Sequence, residues 1–403
     1  MAIIVQKFGG SSIADTEKIM AVAKRIVSTV KEGNKVVAVV SAQGKTTDIL
    51  IEQARAISKN PPKREMDMLL ATGEQVSIAL LAMAIDSLEQ PVVSLTGAQG
   101  GIVTDTHHTK ARIRAVDCAR IKSELGLGNV VIVAGFQGVS KSNDITTLGR
   151  GGSDTTAVAI AAALGAEMCE IYTDVDGVYS ADPRKVPNAR KLEEVGYGEM
   201  LELASLGAGV LQPRAVEVAA GHGVPIHVRS SFSYDKGTMI REVSSVERKI
   251  SVTGVAADDN CAKITLVGVP SEVNILTLVF SALAKQSINV DMIVQAGTRN
   301  SVTDLSFTIA RAELDSALET INNIRKDSDW KIVCDENVAK VSIVGAGMMT
   351  NPGVAAKMFS ALEESNIPVY VVSTSEIKVS CLVPLENYEE AVLVCHKKFE
   401  LEQ

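Results

Sequence analysis

Aromatic side chains are scarce in this sequence of 403 residues. Phe, Tyr and Trp together make up 3% of the chain, whereas apolar residues as a whole make up 46%. The interior must therefore be built from Val, Ile, Leu and Ala, which suits parallel strands covered on both faces by helices. The length predicts two or three domains.

The sequence also lacks a concentrated positive charge. Its formal net charge is −8, and no cluster of Lys and Arg stands out. An extended nucleic-acid interface is therefore not expected. A negatively charged substrate would need a local cationic site, because the field of the whole protein opposes its approach.

Long apolar runs and paired cysteines are missing as well. The longest apolar runs, such as Ile78–Ile85, fall far short of the ~20 residues needed to cross a bilayer, and the N-terminal run stops before a signal-peptide core would. The six cysteines contain no Cys-x-x-Cys pair. These features predict reduced thiols in a cytoplasmic protein with no membrane partner. The histidines show no metal-ligand spacing, so no metal site is predicted, and adjacent His107 and His108 predict a surface loop.

Short apolar runs alternate with amphipathic patterns up to about residue 240. Helices are predicted at Asp15–Lys31 and Arg64–Leu88. The predicted strands are Ile3–Lys7, Lys35–Ser41, Val92–Thr96, Val130–Phe136, Glu170–Thr173 and Pro225–Arg229. This alternation predicts an α/β fold with one large, mostly parallel sheet and helices on both faces.

The alternation stops in the polar segment Lys236–Lys249, so the first domain is assigned to residues 1–245. An internal repeat follows. The matching segments are Ile264–Gly268 with Val341–Gly345, Phe280–Leu283 with Phe359–Leu362, and Ile288–Val290 with Ile367–Val369. Each copy reads strand, helix, strand, strand, helix, with a further strand expected, which predicts two ferredoxin-like βαββαβ modules.

The first motif suited to an anion is Lys7-Phe8-Gly9-Gly10-Ser11-Ser12, where the first predicted strand meets a helix. Paired glycines let a phosphate approach the backbone, and a helix N-terminus offers unpaired N–H groups. Lys7 adds a positive charge. The alternative is a tight turn with a surface lysine.

A second glycine-rich segment runs from Gly149 to Thr156 and opens the apolar helix Ala157–Leu164. Arg150 within it can clamp a carboxylate through two hydrogen bonds. Taken alone, the segment is equally typical of an ordinary capped helix. Two such helix starts in one sheet domain favour an anion-binding site.

The segment Asp174–Arg184 follows a predicted strand and contains three aspartates. These carboxylates suit Mg²⁺ or a nucleotide, although Asp-Gly and Asp-Pro are also plain turn signals. Two other patterns are excluded as nucleotide motifs. Gly44-Lys45-Thr46 has Val39 where a Walker A loop needs glycine, and Gly345-Ala346-Gly347 is followed by Thr350 where a dinucleotide-binding turn needs a small residue.

Together these segments resemble the aspartate kinases of the amino-acid kinase family. The matching stretches are Lys7–Ser12, Val40–Ala42, Gly44–Asp48, Ala71–Glu74, Thr146–Thr156, Tyr172–Asp174 and Tyr179–Arg184. The C-terminal repeat resembles paired ACT domains, so the match covers essentially the whole chain. The resemblance implies Mg²⁺-dependent transfer of the ATP γ-phosphoryl group to L-aspartate, the entry step to lysine, threonine and methionine synthesis.

The resemblance also implies roles for individual residues. The residues expected to hold ATP are Lys7, Phe8, Gly9, Gly10, Thr173, Asp174, Tyr179, Arg184, Gly209 and Val210. Those expected to bind L-aspartate are Ser41, Thr47, Glu74, Arg150, Gly151 and Ser153. Lys7, Arg150 and Asp154 are expected to be catalytic, with Asp154 orienting Lys7 rather than acting as a base. Gln43 and Gly209 depart from the family pattern, since methionine is usual at the first position and some relatives carry lysine at the second.

The ACT resemblance implies that the first module is inserted into the second. The first ACT domain is then 263–337, and the second combines 250–262 with 338–403. The residues expected to bind an amino-acid effector are Asp291, Gln295, Asn366 and Glu376. Ser271 stands where threonine-binding relatives carry aspartate, whereas Asp291 and Glu376 suit the two ammonium groups of lysine. Lysine is therefore expected as the dominant effector, acting on a homo-oligomer of at least two chains. A shorter regulatory chain is left open as a further partner.

The residue types support this chemistry independently. A carboxylate acceptor is ionised at neutral pH, so it needs no general base, unlike a hydroxyl acceptor. The task is to bring anions together, which lysine, arginine, helix N-termini and Mg²⁺ can do. The alternatives are a kinase for glutamate or another amino acid, a catalytically inactive amino-acid sensor, and a dehydrogenase.

Overall fold

The computed structural model describes residues 1–206, 210–243, 251–272, 274–325 and 329–402. These residues form two compact units. The first contains Met1–Val178, Lys191–Ser205 and 210–243, and the second contains Tyr179–Arg190, Leu206 and 251–402. The predicted first domain is continuous, whereas the first unit leaves out Tyr179–Arg190. Residues 244, 245 and 250, at the predicted boundary, lie outside the described residues.

The first unit contains a large sheet and a smaller one, both made of short strands. Its strands are β1 Ile3–Phe8, β2 Lys35–Val40, β3 Val92–Leu95, β4 Ile102–Thr104, β5 Ile113–Val116, β6 Val130–Ala134, β7 Gln137–Ser140, β8 Ile145–Thr147, β9 Met168–Thr173, β10 Glu194–Gly196, β11 Ile226–Ser230 and β12 Thr238–Arg241. The large sheet has the order β10-β12-β11-β9-β1-β2-β6-β3 and is parallel except between β11 and β12. A smaller mixed sheet has the order β5-β4-β7-β8.

Helices cover both faces of the large sheet. They are α1 Thr16–Lys31, α2 Thr46–Ile57, α3 Lys63–Asp86, α4 Ala119–Gly126, α5 Gly152–Leu164, α6 Tyr197–Ser205 and α7 Pro213–His222. On one face, buried side chains of α1 and α3 pack against Val36, Ala38 and Val40 of β2. On the other, the apolar helix α5 packs against β1, β2 and β9. The mostly parallel sheet with helices on both faces confirms this part of the predicted fold class.

The junction after β1 contains a short helix that was not predicted. Gly10–Ile13 forms a short 3₁₀ helix, and α1 begins only at Thr16. Asp15 caps α1, because its carboxylate accepts a hydrogen bond from the backbone N–H of Lys18 at 2.9 Å. The predicted helix Asp15–Lys31 is therefore present with Asp15 as its cap, and the paired glycines lead first into the short 3₁₀ helix. The second glycine-rich segment does open a helix, since α5 begins at Gly152.

By length and composition alone, helix α3 is long and apolar enough to cross a membrane. Such a helix was not predicted from the sequence, because the prediction considered uninterrupted apolar runs and polar residues interrupt this one. Half of the most apolar 18-residue stretch of this helix is buried inside the structure. Leu81 and Ile85 of this helix are fully buried beside the strands of the large sheet. A core helix of this kind passes the same test of length and composition as a membrane span.

The second unit contains one antiparallel sheet with helices. Its strands are β13 Gly254–Pro270, β14 Val290–Gln295, β15 Val302–Ala310, β16 Lys331–Val344, β17 Val371–Thr374 and β18 Lys378–Pro384, and its helices are α8 Ile275–Lys285, α9 Leu314–Arg325, α10 Val354–Glu364 and α11 Tyr388–Lys398. The strand order is β14-β15-β13-β16-β18-β17. Two βαββαβ modules share this sheet, which confirms the second part of the fold class.

The long strands β13 and β16 each serve both modules. The first half of β13, Gly254–Asp258, pairs with the second half of β16, whereas Cys261–Pro270 pairs with β15. Gly254–Asp258 therefore supplies the strand that the second module lacks after α11. Each module has its own apolar core, one around Phe307 and the other around Met358. The two modules meet in a small cluster that includes Met292 of β14, with Val371 of β17 packed against it.

Candidate active site

Lys7, near the end of β1, is held in a nearly buried ion pair. Its Nζ lies 2.7 Å from Oδ1 of Asp154, and the two side chains are 11% and 10% exposed. The pair forms because β1 packs against α5, which carries Asp154 in its first turn. A carboxylate that fixes a lysine in this way keeps the ammonium at a defined point, where it can contact a phosphate oxygen.

The turn after β1 lies very close to the turn after β2. A Cβ atom on Gly10 would lie 2.5 Å from the carbonyl oxygen of Ala42, so a larger residue would require the backbone to move. The carbonyl of Gly10 also accepts a hydrogen bond from the N–H of Gly44 at 3.0 Å. Glycine at position 10 is therefore needed for the close approach of two backbone segments.

These turns border a cavity of about 660 Å³ that lies within the first unit. The predicted ATP, aspartate and catalytic residues that line it are Lys7, Gly10, Ser41, Thr47, Glu74, Arg150, Gly151, Ser153 and Asp154. The structure thus brings together residues from β1, α2, α3 and α5 and the loops beside them.

Glu74 presents a buried carboxylate to this cavity. The residue lies on α3 and is only 2% exposed. Its Oε1 accepts a hydrogen bond from the N–H of Ala42 at 3.0 Å, and its Oε2 has no hydrogen-bond partner among the described residues. Burial raises the pKa of Glu74 to about 7. A ligand ammonium beside Oε2 would favour the ionised carboxylate and satisfy this oxygen.

Arg150 lies between two glycines with left-handed backbone conformations, Gly149 at φ 82° and Gly151 at φ 72°. Its side chain is 89% exposed and lies 3.6 Å from Asp48 of α2. Its backbone carbonyl accepts a hydrogen bond from Nε2 of Gln212 at 2.9 Å. The guanidinium is therefore loosely held, whereas the backbone that carries it is well anchored.

The predicted nucleotide residues of β1 and β9 lie at neighbouring strand ends. Phe8 pairs in register with Tyr172, and the two rings stack with centroids 4.8 Å apart. The N–H of Gly9 donates to the carbonyl of Tyr172 at 3.3 Å. Thr173 ends β9 and its hydroxyl donates to exposed Asp174 at 3.1 Å. These residues border the edge of the sheet rather than the cavity described above.

Among the remaining predicted nucleotide residues, Val210 does not line this cavity. Tyr179 and Arg184 belong to the second unit, where Arg184 forms a two-pronged hydrogen bond with Asp182. This contact lowers the pKa of Asp182. Val210 is half-buried in the first unit, and Gly209 lies outside the described residues.

The sequence interpretation missed a group of polar residues beside the cavity. His108 is not on a freely exposed loop, since its Nδ1 lies 2.7 Å from Oδ2 of Asp67 and its side chain is 18% exposed, whereas that of His107 is 79% exposed. Thr109 and Thr147, which line the cavity, also bind Asp67. The only signal in the sequence was an aspartate at helical spacing from Glu74, a pattern too common to select it.

Within the described ranges, no group of three His, Cys, Asp or Glu side chains is arranged to hold a metal ion. Asp154 is engaged with Lys7, and Asp174 is exposed.

The predicted effector residues lie in the second unit and are exposed. Asp291 of β14 contacts Nζ of Lys340. The side chain of Lys340 is only 6% exposed, and its Nζ also lies 3.9 Å from Oδ2 of Asp258. The carboxylate of Asp291 is therefore already paired with an ammonium of the same chain. The sequence interpretation had treated Asp291 as available to a ligand, and the internal partner was not anticipated.

The other effector residues are separated along the chain. Gln295 ends β14, and Glu376 lies between β17 and β18. Asn366 has a left-handed backbone at φ 55° and lines a cavity of about 540 Å³ together with Phe359 and Val369.

Comparison with known proteins gives matches along the whole chain. A model of the amino acid kinase family matches residues 2–230, and an ACT domain model matches 264–323 and 341–399. Aspartokinase 2 of Bacillus subtilis is 50% identical over 402 residues, covering 100% of this chain and 98% of that protein. E. coli aspartokinase III in complex with aspartate and ADP is 24% identical with a TM-score of 0.84, covering 98% of this chain and 99% of its own. The same enzyme in complex with lysine and aspartate is 25% identical with a TM-score of 0.74 and the same coverage.

Proposed function

The chain belongs to the amino-acid kinase family and, within it, to the aspartokinases, and from that premise we propose the reaction and the residues that carry it. The resemblance seen in the motifs is thereby confirmed. The proposed reaction transfers the γ-phosphoryl group of ATP to the β-carboxylate of L-aspartate, giving 4-phospho-L-aspartate and ADP.

One observation in the structure carries the assignment of residues. A single cavity contains a fixed ammonium, Lys7, and a buried carboxylate, Glu74, that has an unpaired oxygen. An amino-acid dicarboxylate needs both, because its own ammonium must be paired with a negative group and its reacting carboxylate with a positive one.

Aspartate then has a specific orientation in the cavity. Its α-ammonium binds Oε2 of Glu74, and its α-carboxylate binds the guanidinium of Arg150, which swings in from its present exposed position. The β-carboxylate faces Lys7. Hydrogen bonds to aspartate come from Ser41, Thr47, Ser153 and the backbone N–H of Gly151.

ATP approaches from the ends of β1 and β9. Its phosphates lie along the backbone of Phe8, Gly9 and Gly10 and contact Lys7, while Thr173 and Asp174 contact the rest of the nucleotide. Tyr179, Arg184, Gly209 and Val210 remain proposed nucleotide residues on the family pattern alone.

The chemistry needs no general base. The acceptor carboxylate is ionised at neutral pH, and Asp154 is bound to Lys7, so it orients the lysine. Lys7 then stabilises the negative charge on the transferring phosphoryl group, which grows in the transition state. We propose that Mg²⁺ binds with ATP, where it would neutralise phosphate charge, with Asp174 as a candidate protein ligand.

The second unit would carry regulation. Its two ACT modules, proposed at 263–337 and at 250–262 with 338–403, bind an amino-acid effector through Asp291, Gln295, Asn366 and Glu376. Lysine is the proposed effector, since a related enzyme has been solved in complex with lysine. Exposed apolar residues on the edge strand β14, Ile293 and Val294, support pairing of two chains through this unit.

An assay of ADP release with ATP, Mg²⁺ and each amino acid in turn tests the proposed function. We expect turnover with L-aspartate and little with L-glutamate, and we expect hydroxylamine to trap the acyl phosphate product. An inactive sensor would bind amino acids calorimetrically without releasing ADP. A glutamate kinase would reverse the substrate preference.

A further inference from the structure

Asp67 is a completely buried carboxylate beside the cavity. It lies on α3 with 0% exposure, on the helix face that also carries Leu70 and Glu74. Leu70 and Glu74 line the cavity, whereas Asp67 does not. Burying a charge is costly unless it is well hydrogen-bonded, so the partners of Asp67 indicate its role.

Those partners belong to two segments that border the cavity. The N–H of Thr109 donates to both oxygens of Asp67, at 3.0 and 3.1 Å. The hydroxyl of Thr147, at the end of β8, donates to Oδ1 at 2.5 Å, and Nδ1 of His108 lies 2.7 Å from Oδ2. Both carboxylate oxygens are therefore used to join helix α3 to a loop and to a strand end.

The loop held in this way has a strained backbone. Thr109 has φ 70°, a left-handed conformation that residues with a side chain rarely adopt. Such a conformation persists only where the surroundings enforce it. Here the double contact from Asp67 to the Thr109 N–H is the visible constraint.

The loop that contains Thr109 lies against the glycine-rich segment Gly149–Thr156. A Cβ atom on Gly149 would lie 3.1 Å from the carbonyl oxygen of Thr109, so the two backbones are nearly in contact. The carbonyl of Thr147 also accepts a hydrogen bond from the N–H of Ala111 at 2.9 Å. The position of Gly149, and therefore of Arg150 after it, depends on this loop and on the end of β8.

We infer that Asp67 is a positioning residue for the aspartate clamp, acting through Thr109 and Thr147 on the backbone that carries Arg150. It does not contact the substrate itself. This inference rests on the proposed function. The side chain of Arg150 is 89% exposed and so is placed mainly by its backbone, which makes the clamp sensitive to a shift of the segment.

The replacement Asp67→Asn tests this role with little change of shape. Its amide nitrogen cannot accept a hydrogen bond. In the place of Oδ2 it loses one of the two contacts from the Thr109 N–H, and in the place of Oδ1 it loses the other contact from Thr109 together with that from the Thr147 hydroxyl. We expect the KM for aspartate to rise by at least about fivefold while the KM for ATP stays within about twofold, because the nucleotide is held by β1 and β9.

A double-mutant cycle separates positioning from general stability. If Asp67 acts through Arg150, then adding Asp67→Asn to Arg150→Ala should raise the aspartate KM by less than about twofold further. Asp105→Asn is the matched control, since Asp105 holds the same loop through the N–H groups of His107 and Arg112, whereas Thr109 and Thr147 donate to Asp67. It should lower the Tm without raising the aspartate KM.

Thr147 supplies a second test if Asp67→Asn does not fold. Thr147→Ser keeps the hydroxyl donor and should retain the parent KM for aspartate, whereas Thr147→Val should raise it. The inference is overturned if Asp67→Asn folds with an unchanged aspartate KM, if Asp105→Asn raises it equally, or if the effect is undiminished beside Arg150→Ala. A parent enzyme without aspartate-dependent ADP release would instead refute the proposed function.

Discussion

The candidate site residues of the two units differ in how far they are exposed to solvent. In the first unit, Lys7 and Asp154 are paired with about a tenth of each side chain exposed, and Glu74 is 2% exposed. In the second, the candidate effector residues Gln295 and Glu376 are exposed, and Asp291 is satisfied by a lysine of its own chain. The candidate active site is thus enclosed, whereas the candidate effector residues are exposed at strand ends and turns.

This difference has a physical origin. The carboxyl ends of parallel strands meet at one edge, so a single sheet gathers distant residues into one cavity. The antiparallel ACT sheet ends instead in open edge strands, whose unpaired backbone groups favour association with another chain. We therefore expect the active site to be complete in one chain and the effector site to be completed by a second.

Loss of the Lys7 charge should have the largest effect on the enclosed site. We expect Lys7→Ala to lower kcat by about 10²-fold or more, on the order of 3 kcal/mol, because the ammonium stabilises the transition state more than bound ATP. Lys18→Ala, an exposed lysine paired with Asp15, is the control and should change nothing. A kcat of Lys7→Ala within about threefold of the parent would contradict this role.

Truncation of Arg150 should affect one substrate only. We expect Arg150→Ala to raise the KM for aspartate by on the order of tenfold, because it removes a charge-assisted contact to the α-carboxylate. Arg150→Lys should recover part of this loss, since it keeps the charge but not the fork. Equal increases in the KM values for ATP and aspartate would mean that Arg150 serves the nucleotide.

Glu74 should make aspartate binding depend on pH. With a pKa of about 7, its ionised fraction rises about tenfold between pH 6 and pH 8, so the KM for aspartate should fall over this range. Glu74→Gln should flatten the profile and leave the KM high throughout. A parent profile that is flat between these pH values would rule out ionised Glu74 as the ammonium partner.

The same pKa shift fixes the sign of a stability effect. Folded Glu74 has a higher pKa than the reference value of 4.5, so the folded state holds its proton more tightly than the unfolded state. The free energy of unfolding therefore falls as the pH rises from about 4.5 to about 7. Glu74→Gln should remove this part of the slope in urea titrations.

Substitutions near the candidate effector residues should have smaller effects than those in the candidate active site. We expect calorimetric titration to show lysine binding and only weak threonine binding, and we expect Lys340→Met to tighten lysine binding by a few-fold, about 1 kcal/mol, because Asp291 loses its internal partner. Lys331→Met, an exposed lysine on the same strand, should have no effect. Tight threonine binding without lysine heat would contradict the assignment from Ser271.

Much of the architecture could be predicted because it follows from periodicity. Strands such as Ile3–Phe8 and Lys35–Val40 are mostly apolar, and their bounds differ from the prediction by one residue at most. The repeat was visible because the two modules bury the same residue types at matching positions. The 3₁₀ helix at Gly10–Ile13 was not predicted, and neither was the close approach of Gly10 to Ala42, which joins two turns far apart in the sequence.

The candidate site was predictable only where motifs mark it. Lys7, Glu74, Arg150 and Asp154 lie in recognisable segments, and the structure brings them together in one cavity. Pairings between distant residues were not predictable, because they depend on tertiary packing alone. Asp67 with Thr147 and Asp291 with Lys340 lie 80 and 49 positions apart.

Comparing activity with inhibition in a variant that cannot pair its chains tests the central contrast most directly. Ile293→Glu places a charge on the edge strand β14, where Ile293 is 48% exposed. Light scattering of this variant should give 42.6 kDa, the mass of one chain. The parent protein should give at least twice that mass. We predict that this single chain still phosphorylates aspartate within about threefold of the parent rate but is no longer inhibited by lysine. Loss of activity together with pairing, or lysine inhibition that persists in the single chain, would contradict the account.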